Sequence, residues 1–436
     1  MMVRLAPVLL AAAMAAAAPD SANAQANEVL RCIASPNARC AIKLAERSFG
    51  AVPESRWHLV VPNLSQAMLF SGRMARGLEL AEQIRSPAVR RLVFMAQAHV
   101  LFHEGRFAEA RAVLDEHGAT TSQTANEVAG WAQVSYERGD TARGDAAVDL
   151  ARDLLKAHET ATGKTVSAVT LPSVVAASGD IDAAIEMVRE MPELYDRVNA
   201  AVLLADSLAR GPDPDRAKAL LQEVSDWRAS LDPVRASQSL LGEAWAWLLL
   251  GDTDRTLKIA NSVSDPARRD NTLAFLVFQA GSSGSAEAAL FLAAQIKAAE
   301  TKAWGLAQCA RQAFVSGHRD AAMTCLEAAR EPVAGLLDAL ERRGLDPELR
   351  ANIDRALGAM ANAESLAGND AAVARIIEAS GLYGRGMSDK IITAHIEAGD
   401  YSLAMLMAFQ DSDGLKQTKA LSSLARTLAM KEFGGE

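Results

Sequence analysis

The stretch HVLFHE, residues 99–104, sets two imidazoles four residues apart with a carboxylate beside the second. Positions four apart share one face of a helix, and two histidines so placed can hold one metal ion. The zinc-protease pattern puts its glutamate inside the histidine pair. Here Glu104 follows the pair, and the sequence nominates no third ligand. The sequence therefore predicts no catalytic residue, no metal site and no cofactor. The alternative is an all-helical enzyme or metal-binding protein that uses His99, His103 and Glu104. Gly-x-Ser-x-Gly elbows, phosphate loops and Cys–His nucleophile pairs do not occur. The glycine-rich GLYGRG at 381–386 follows no strand, so it does not read as a phosphate cradle.

Four cysteines form two local pairs. Cys32 and Cys40 bracket IASPNAR, whose Pro36-Asn37 reads as a turn. Cys309 and Cys325 each lie eight residues from Gly317, on opposite sides of it. If Gly317 joins two antiparallel helices, both sulfurs stand level on facing helices. Both pairs are expected as disulfides, which requires an oxidising compartment. The first residues fit that address. Arg4 precedes an uncharged, mostly apolar run from Leu5 to Ala18, and Ala22-Asn23-Ala24 follows as a small-x-small site. This reads as a secretory leader cut before Gln25, giving a periplasmic or secreted protein. The run is too short to span a bilayer, and no later segment is long and apolar enough. The net charge is −9, and basic residues never form a run. That argues against a nucleic-acid face and a polybasic membrane patch.

The elements that position these residues come from a repeat. Eight glycines open closely similar phrases: Gly72, Gly105, Gly139, Gly179, Gly251, Gly284, Gly317 and Gly399. Gly211 and Gly368 open looser copies. A spacing of 33–34 residues keeps returning. Five residues after each strict glycine stands a small residue: Gly77, Ala110, Gly144, Ala184, Thr256, Ala289, Ala322 or Ala404. Nine after stands an apolar one. Small and apolar positions four apart share one helical face. Proline completes the punctuation. "IRSPAVRR" at 84–91 and "VSDPARRD" at 263–270 share one register, with Pro87 and Pro266 each 18 residues before the next glycine. Pro233 repeats this spacing and Pro192 falls one residue further back. Proline costs no hydrogen bond in a first helical turn, Ser86, Asp232 and Asp265 read as N-caps, and glycine suits the left-handed end. So proline opens the first helix of a pair, glycine closes it, and the second helix runs to the next proline, Pro332 included. In "RRGLDPELR", Asp346 and Pro347 open a further helix.

This punctuation resembles the tetratricopeptide repeat family, most closely in "GRFAEARAVL" at Gly105 and "GDYSLAMLMA" at Gly399. Ala98, Ala132, Ala244 and Ala310 also supply the small residue that family places seven before the turn glycine. The helix-A Trp, Leu-Gly and Tyr pattern is mostly absent. The resemblance implies an all-α, right-handed superhelical solenoid of about ten stacked antiparallel helix pairs. It also implies a groove lined from the first helices: His99, Phe102, Gln133, Tyr136, Trp245, Trp304 and Phe314. The expected layout is a leader at 1–24, an N-terminal cap with a disulfide loop at 25–56, repeats at 57–330, and an irregular segment with C-terminal repeats at 331–436. The expected function is a scaffold or adaptor that holds a protein or peptide partner in that groove.

Overall fold

The computed structural model describes residues 20–117, 121–211, 213–340, 345–381, 387–411 and 413–434. The apolar leader run Leu5–Ala18 and residues 382–386 of the glycine-rich stretch lie outside them. Among the described residues the regular elements are helices and no strand occurs. The chain divides into two compact units, residues 118–384 and the two flanking segments together.

The first unit joins both flanks. Its N-terminal part runs through α1 (Asp20–Ala34), α2 (Ala38–Phe49), a 3-10 turn (Glu54–Leu59), α3 (Val61–Phe70), α4 (Met74–Glu82), α5 (Pro87–His103) and α6 (Phe107–His117). If the leader is cut before Gln25, the cut falls within α1. The C-terminal part lies at the other end of the chain. There, α21 spans Met387–Glu397, α22 Tyr401–Gln410 and α23 Gly414–Phe433. Helix α23 packs on α2 and α3, and one buried cluster runs from Val29 and Ile42 through Leu64 and Met68 to Leu421, Leu424 and Leu428. The N-terminus of α2 is capped from both sides: Asn37 accepts from the Cys40 N–H at 2.9 Å, and Glu432 accepts from the Ala38 N–H at 2.7 Å.

The second unit is a stack of helix pairs. In order these are α7 (Thr121–Glu137) with α8 (Thr141–Thr162), α9 (Leu171–Ala177) with α10 (Ile181–Arg189), and α11 (Leu194–Arg210) with α12 (Pro214–Arg228). Then come α13 (Pro233–Leu249) with α14 (Thr253–Asn261), α15 (Pro266–Ser282) with α16 (Ala286–Ala293), α17 (Ala299–Val315) with α18 (Arg319–Leu340), and α19 (Pro347–Ala367) with α20 (Asp370–Ser380). Each first helix packs on its own second helix and on neighbouring first helices.

The repeat register holds in detail. All eight strict turn glycines, and Gly368, have positive φ, a conformation that costs other residues about 1–2 kcal/mol. Gly211 does not; its φ is −91°, which makes it the one extended turn of the series. The small residues five after the strict glycines and the apolar ones nine after are all buried, as are Ala98, Ala132, Ala244 and Ala310. At Gly144 a Cβ would fall 2.3 Å from the Tyr136 ring, so smallness here is what admits the facing helix. Pro87, Pro233 and Pro266 each occupy the first turn of a helix. Asp232 and Asp265 cap theirs, while the Ser86 side chain makes no cap bond.

Two prolines depart from the expected punctuation. Pro332 lies inside α18, which continues to Leu340; only one backbone donor is lost there, and Val333 and Leu336 stay buried on the same helix. Pro192 lies two residues before α11, whose N-cap is Glu193. The expected boundary at 330 accordingly falls within a helix. Some caps come from a neighbouring helix instead. Asp270, last residue of "VSDPARRD", accepts from the Lys297 and Ala298 N–H groups at 3.0 and 2.9 Å, where α17 begins without a side-chain cap of its own. Asn126 serves Thr170, at the head of α9, in the same way.

Candidate functional site

The cysteine pairs stand where the turn register puts them. Cys309 on α17 and Cys325 on α18 are bonded, with Cα atoms 6.0 Å apart and both side chains buried. Cys32 and Cys40 are bonded across the α1–α2 turn, with Cα atoms 5.6 Å apart.

The residues expected to line a groove are distributed unevenly. Phe102 is buried and packs against Phe107 in a tilted arrangement with centroids 4.9 Å apart. Trp245 is buried, with Arg210 over its ring at 5.8 Å. Gln133 is exposed and donates to Glu137 on its own helix at 2.9 Å. Tyr136 is half-buried, covers Gly144 and donates to Asp145 at 2.8 Å. Burial first, and then the Asp145 carboxylate, pushes its hydroxyl up to about 12. Trp304 is half-buried under the Arg355 guanidinium at 5.2 Å. Phe314 packs beside Ala313, Ala321 and Ala322. Of the seven, Gln133 presents the most surface, and Phe102 and Trp245 serve the core.

His99 and His103 share a helix face and converge on Phe433 from α23, with ring centroids 5.7 and 4.4 Å away. Glu104 is ion-paired with Arg106 at 3.0 Å. The two imidazoles thus pack on one aromatic ring, while the carboxylate is held by an arginine. Among the described residues no group of three or more His, Cys, Asp or Glu is placed to hold a metal ion.

Three clefts in the second unit escaped the sequence reading. All lie between successive second helices. The first, about 460 Å³, opens between α12 and α14 and is floored by Glu243 and Trp247 of α13. The second, about 440 Å³, opens between α18 and α20 above Met360 and Glu364 of α19. The third, about 420 Å³, opens between α10 and α12. Their volumes fall at the small end of the range for ligand sites, roughly 300–1,000 Å³. In the first, Arg228 Nε donates to the buried Glu243 carboxylate at 2.7 Å. Burial pushes Glu243 above the usual carboxylate range, with Arg228 pulling the other way. In the second, Arg330 Nε and Nη2 donate to buried Glu364 at 3.1 and 3.4 Å, and Asn369 adds a bond at 3.0 Å. In the third, Arg189 pairs with Glu186 and Glu223, and Arg216 with Asp182. The signal for the first two was present in the repeat: Lys258 and Arg375 each fall seven residues after a turn glycine, followed by Ile259 and Ile376.

No family model and no curated protein matches the chain. Solved structures similar to it include the following two. The crystal structure of Ton1535 from Thermococcus onnurineus NA1 is 12% identical over 76% of this chain and 89% of that one, with a TM-score of 0.33. A circular tandem repeat protein with novel repeat topology and enhanced subunit contact surfaces is 14% identical over 91% of this chain and 97% of that one, with a TM-score of 0.24. Both scores are low, and the all-α paired-helix fold rests on the helix pairs themselves.

Proposed function

We propose that this protein is an exported scaffold or adaptor, similar to tetratricopeptide repeat proteins, that holds a peptide or protein partner on its stacked helix pairs. The observation that carries this reading is the repetition itself. Each pair buries its apolar face against neighbours, and successive pairs leave solvent-facing clefts with apolar floors and a few convergent polar groups. Export is supported by the leader-like first residues and by two cysteine pairs in a chain that keeps no other cysteine. Among the described residues no helix is long and apolar enough to cross a membrane. The non-enzymatic reading draws on the packing of His99 and His103 against Phe433 and on the pairing of Glu104 with Arg106.

The test is crosslinking in intact cells, followed by purification and mass spectrometry of the crosslinked peptides. A defined partner whose crosslinks map to residues on consecutive helix pairs is the expected result. Crosslinks scattered over the surface with no repeated partner would remove the scaffold reading.

A further inference from the structure

The first two clefts share a chemistry that the third lacks. Each has an apolar lining: Leu221, Trp247 and Ile259 in the first, and Val333, Met360 and Ile376 in the second. Each has a buried glutamate at its base, paired with a partly exposed arginine. Each also carries an exposed cation at one register position, Lys258 or Arg375, with no hydrogen-bond or ion-pair partner among the described residues. The first cleft holds Arg228, Arg255 and Lys258 against Asp226 and Glu243; the second holds Arg330 and Arg375 against Glu364. Among the lining residues both carry one more positive than negative charge, on a chain whose net charge is −9. Arg255 and Arg330 are further paired with Asp252 and Glu327 outside the lining, so the cations left over are Lys258 and Arg375. In the third cleft the balance is reversed, with Asp182, Glu186 and Glu223 against Arg189 and Arg216. Both of its arginines are consumed by ion pairs across to the neighbouring helix, Arg189 to Glu223 and Arg216 to Asp182.

The donors differ in number as well. Arg228 uses only Nε on Glu243, so its two Nη groups are open to an anion entering the first cleft. Arg330 spends Nε and Nη2 on Glu364 and Nη1 on Glu327, which leaves Arg375 alone in the second. Beside an apolar floor a carboxylate is attracted more strongly than in open water.

We infer that the clefts floored by Glu243 and by Glu364 each take an acidic side chain with an apolar neighbour, both presented by one extended acidic peptide segment of the partner. The recurrence of the cleft at one register on two helix pairs fits a chain that passes along the second helices better than a single small molecule. This rests on the scaffold reading and moves its surface from the first helices to the second.

The probe is a fluorescein-labelled peptide of alternating Glu and Leu, followed by fluorescence anisotropy with the full chain. It is expected to bind, more weakly as salt rises, while an alternating Lys and Leu peptide does not. Lys258→Glu should weaken binding by at least about tenfold and Arg375→Glu by about threefold, because a rim charge reversed against an acidic ligand repels it. Both positions are exposed, so circular dichroism should be unchanged. Lys218→Glu, on α12 but lining none of the clefts, should bind as the parent does. Equal binding of the two peptides, or no greater loss in Lys258→Glu than in Lys218→Glu, overturns the inference. So does displacement of the probe by free glutamate at the concentration of unlabelled peptide that displaces it, which would mark a small-carboxylate site. If the acidic peptide does not bind at all while crosslinking still returns a partner, the scaffold reading stands and the surface assigned here is wrong.

Discussion

Glycine plays two opposite parts at the level of single residues. Gly281 on α15 lies against the backbone of α17, where a Cβ would fall 2.4 Å from the Cys309 carbonyl oxygen. A backbone atom inside a helix cannot swing aside, so Gly281→Ala should destabilise the protein by about 1–3 kcal/mol. Gly130, mid-helix in α7 and exposed, has nothing within 4 Å of such a Cβ. Gly130→Ala should stabilise by about 0.5–1 kcal/mol, since alanine restricts the unfolded chain and favours helix. Urea denaturation of both variants measures this, and shifts of the same sign would refute the packing account. Glu243 gives a pH prediction. A carboxylate whose folded value is raised contributes stability that is present below its ordinary value, near 4.5, and lost as pH rises through the folded one. Glu243→Gln removes that titration, so the stability of the variant relative to the parent should improve as pH rises from about 4.5. Thermal melts across the range would show it; a difference that stays flat would mean Arg228 offsets the burial.

Elements were legible in the sequence wherever their ends are written in local chemistry. The strict turn glycines, the Asp232 and Asp265 caps and the small-residue register were readable, because each depends on a few neighbouring residues. Pro332 misled because a proline in mid-helix loses one bond, a cost that packing of Val333 and Leu336 can outweigh. The clefts were missed because each needs side chains from two or three helices, which no single window of sequence contains. The cap at the head of α17 was hidden for the same reason, since Asp270 lies 27 residues before Lys297. Asp270→Ala strands two donors at that helix end and should cost about 1–3 kcal/mol, with amide exchange rising first in the opening turn of α17. Uniform exchange across the unit would contradict this. The buried Cys309–Cys325 bond closes a 16-residue separation. Replacing both cysteines with alanine should lower stability by about 3 kcal/mol on loop entropy, measured under non-reducing conditions. A variant as stable as the parent would show that the packing of α17 on α18 suffices.

For the whole molecule, the association of the two chain ends in the first unit is the feature that no repeat pattern announces. A periodic sequence specifies which pair sits on the next, whereas Ala38 and Glu432 bond across 394 residues. The prediction at this scale is a truncation. Removing 414–436 deletes α23, exposes the apolar faces of α2 and α3, and strips Ala38 of one cap. Hydrogen exchange should then accelerate across Ala38–Phe70 and leave residues 213–340 protected. Equal loss of protection in both regions would mean that the two units do not open separately.

That joining of the ends also sets an order in time. A ribosome releases residues 20–117 first and 385–434 last, so the earliest helices wait for the final ones before their shared core can close. Residues 118–384 are contiguous, and their contacts join near neighbours, the kind that form fast. The middle of the chain should therefore acquire exchange protection while the beginning is still open, reversing the usual N-terminal-first sequence of synthesis. During that interval the apolar faces of α2 and α3 are the surface most exposed to aggregation and most in need of a holding chaperone.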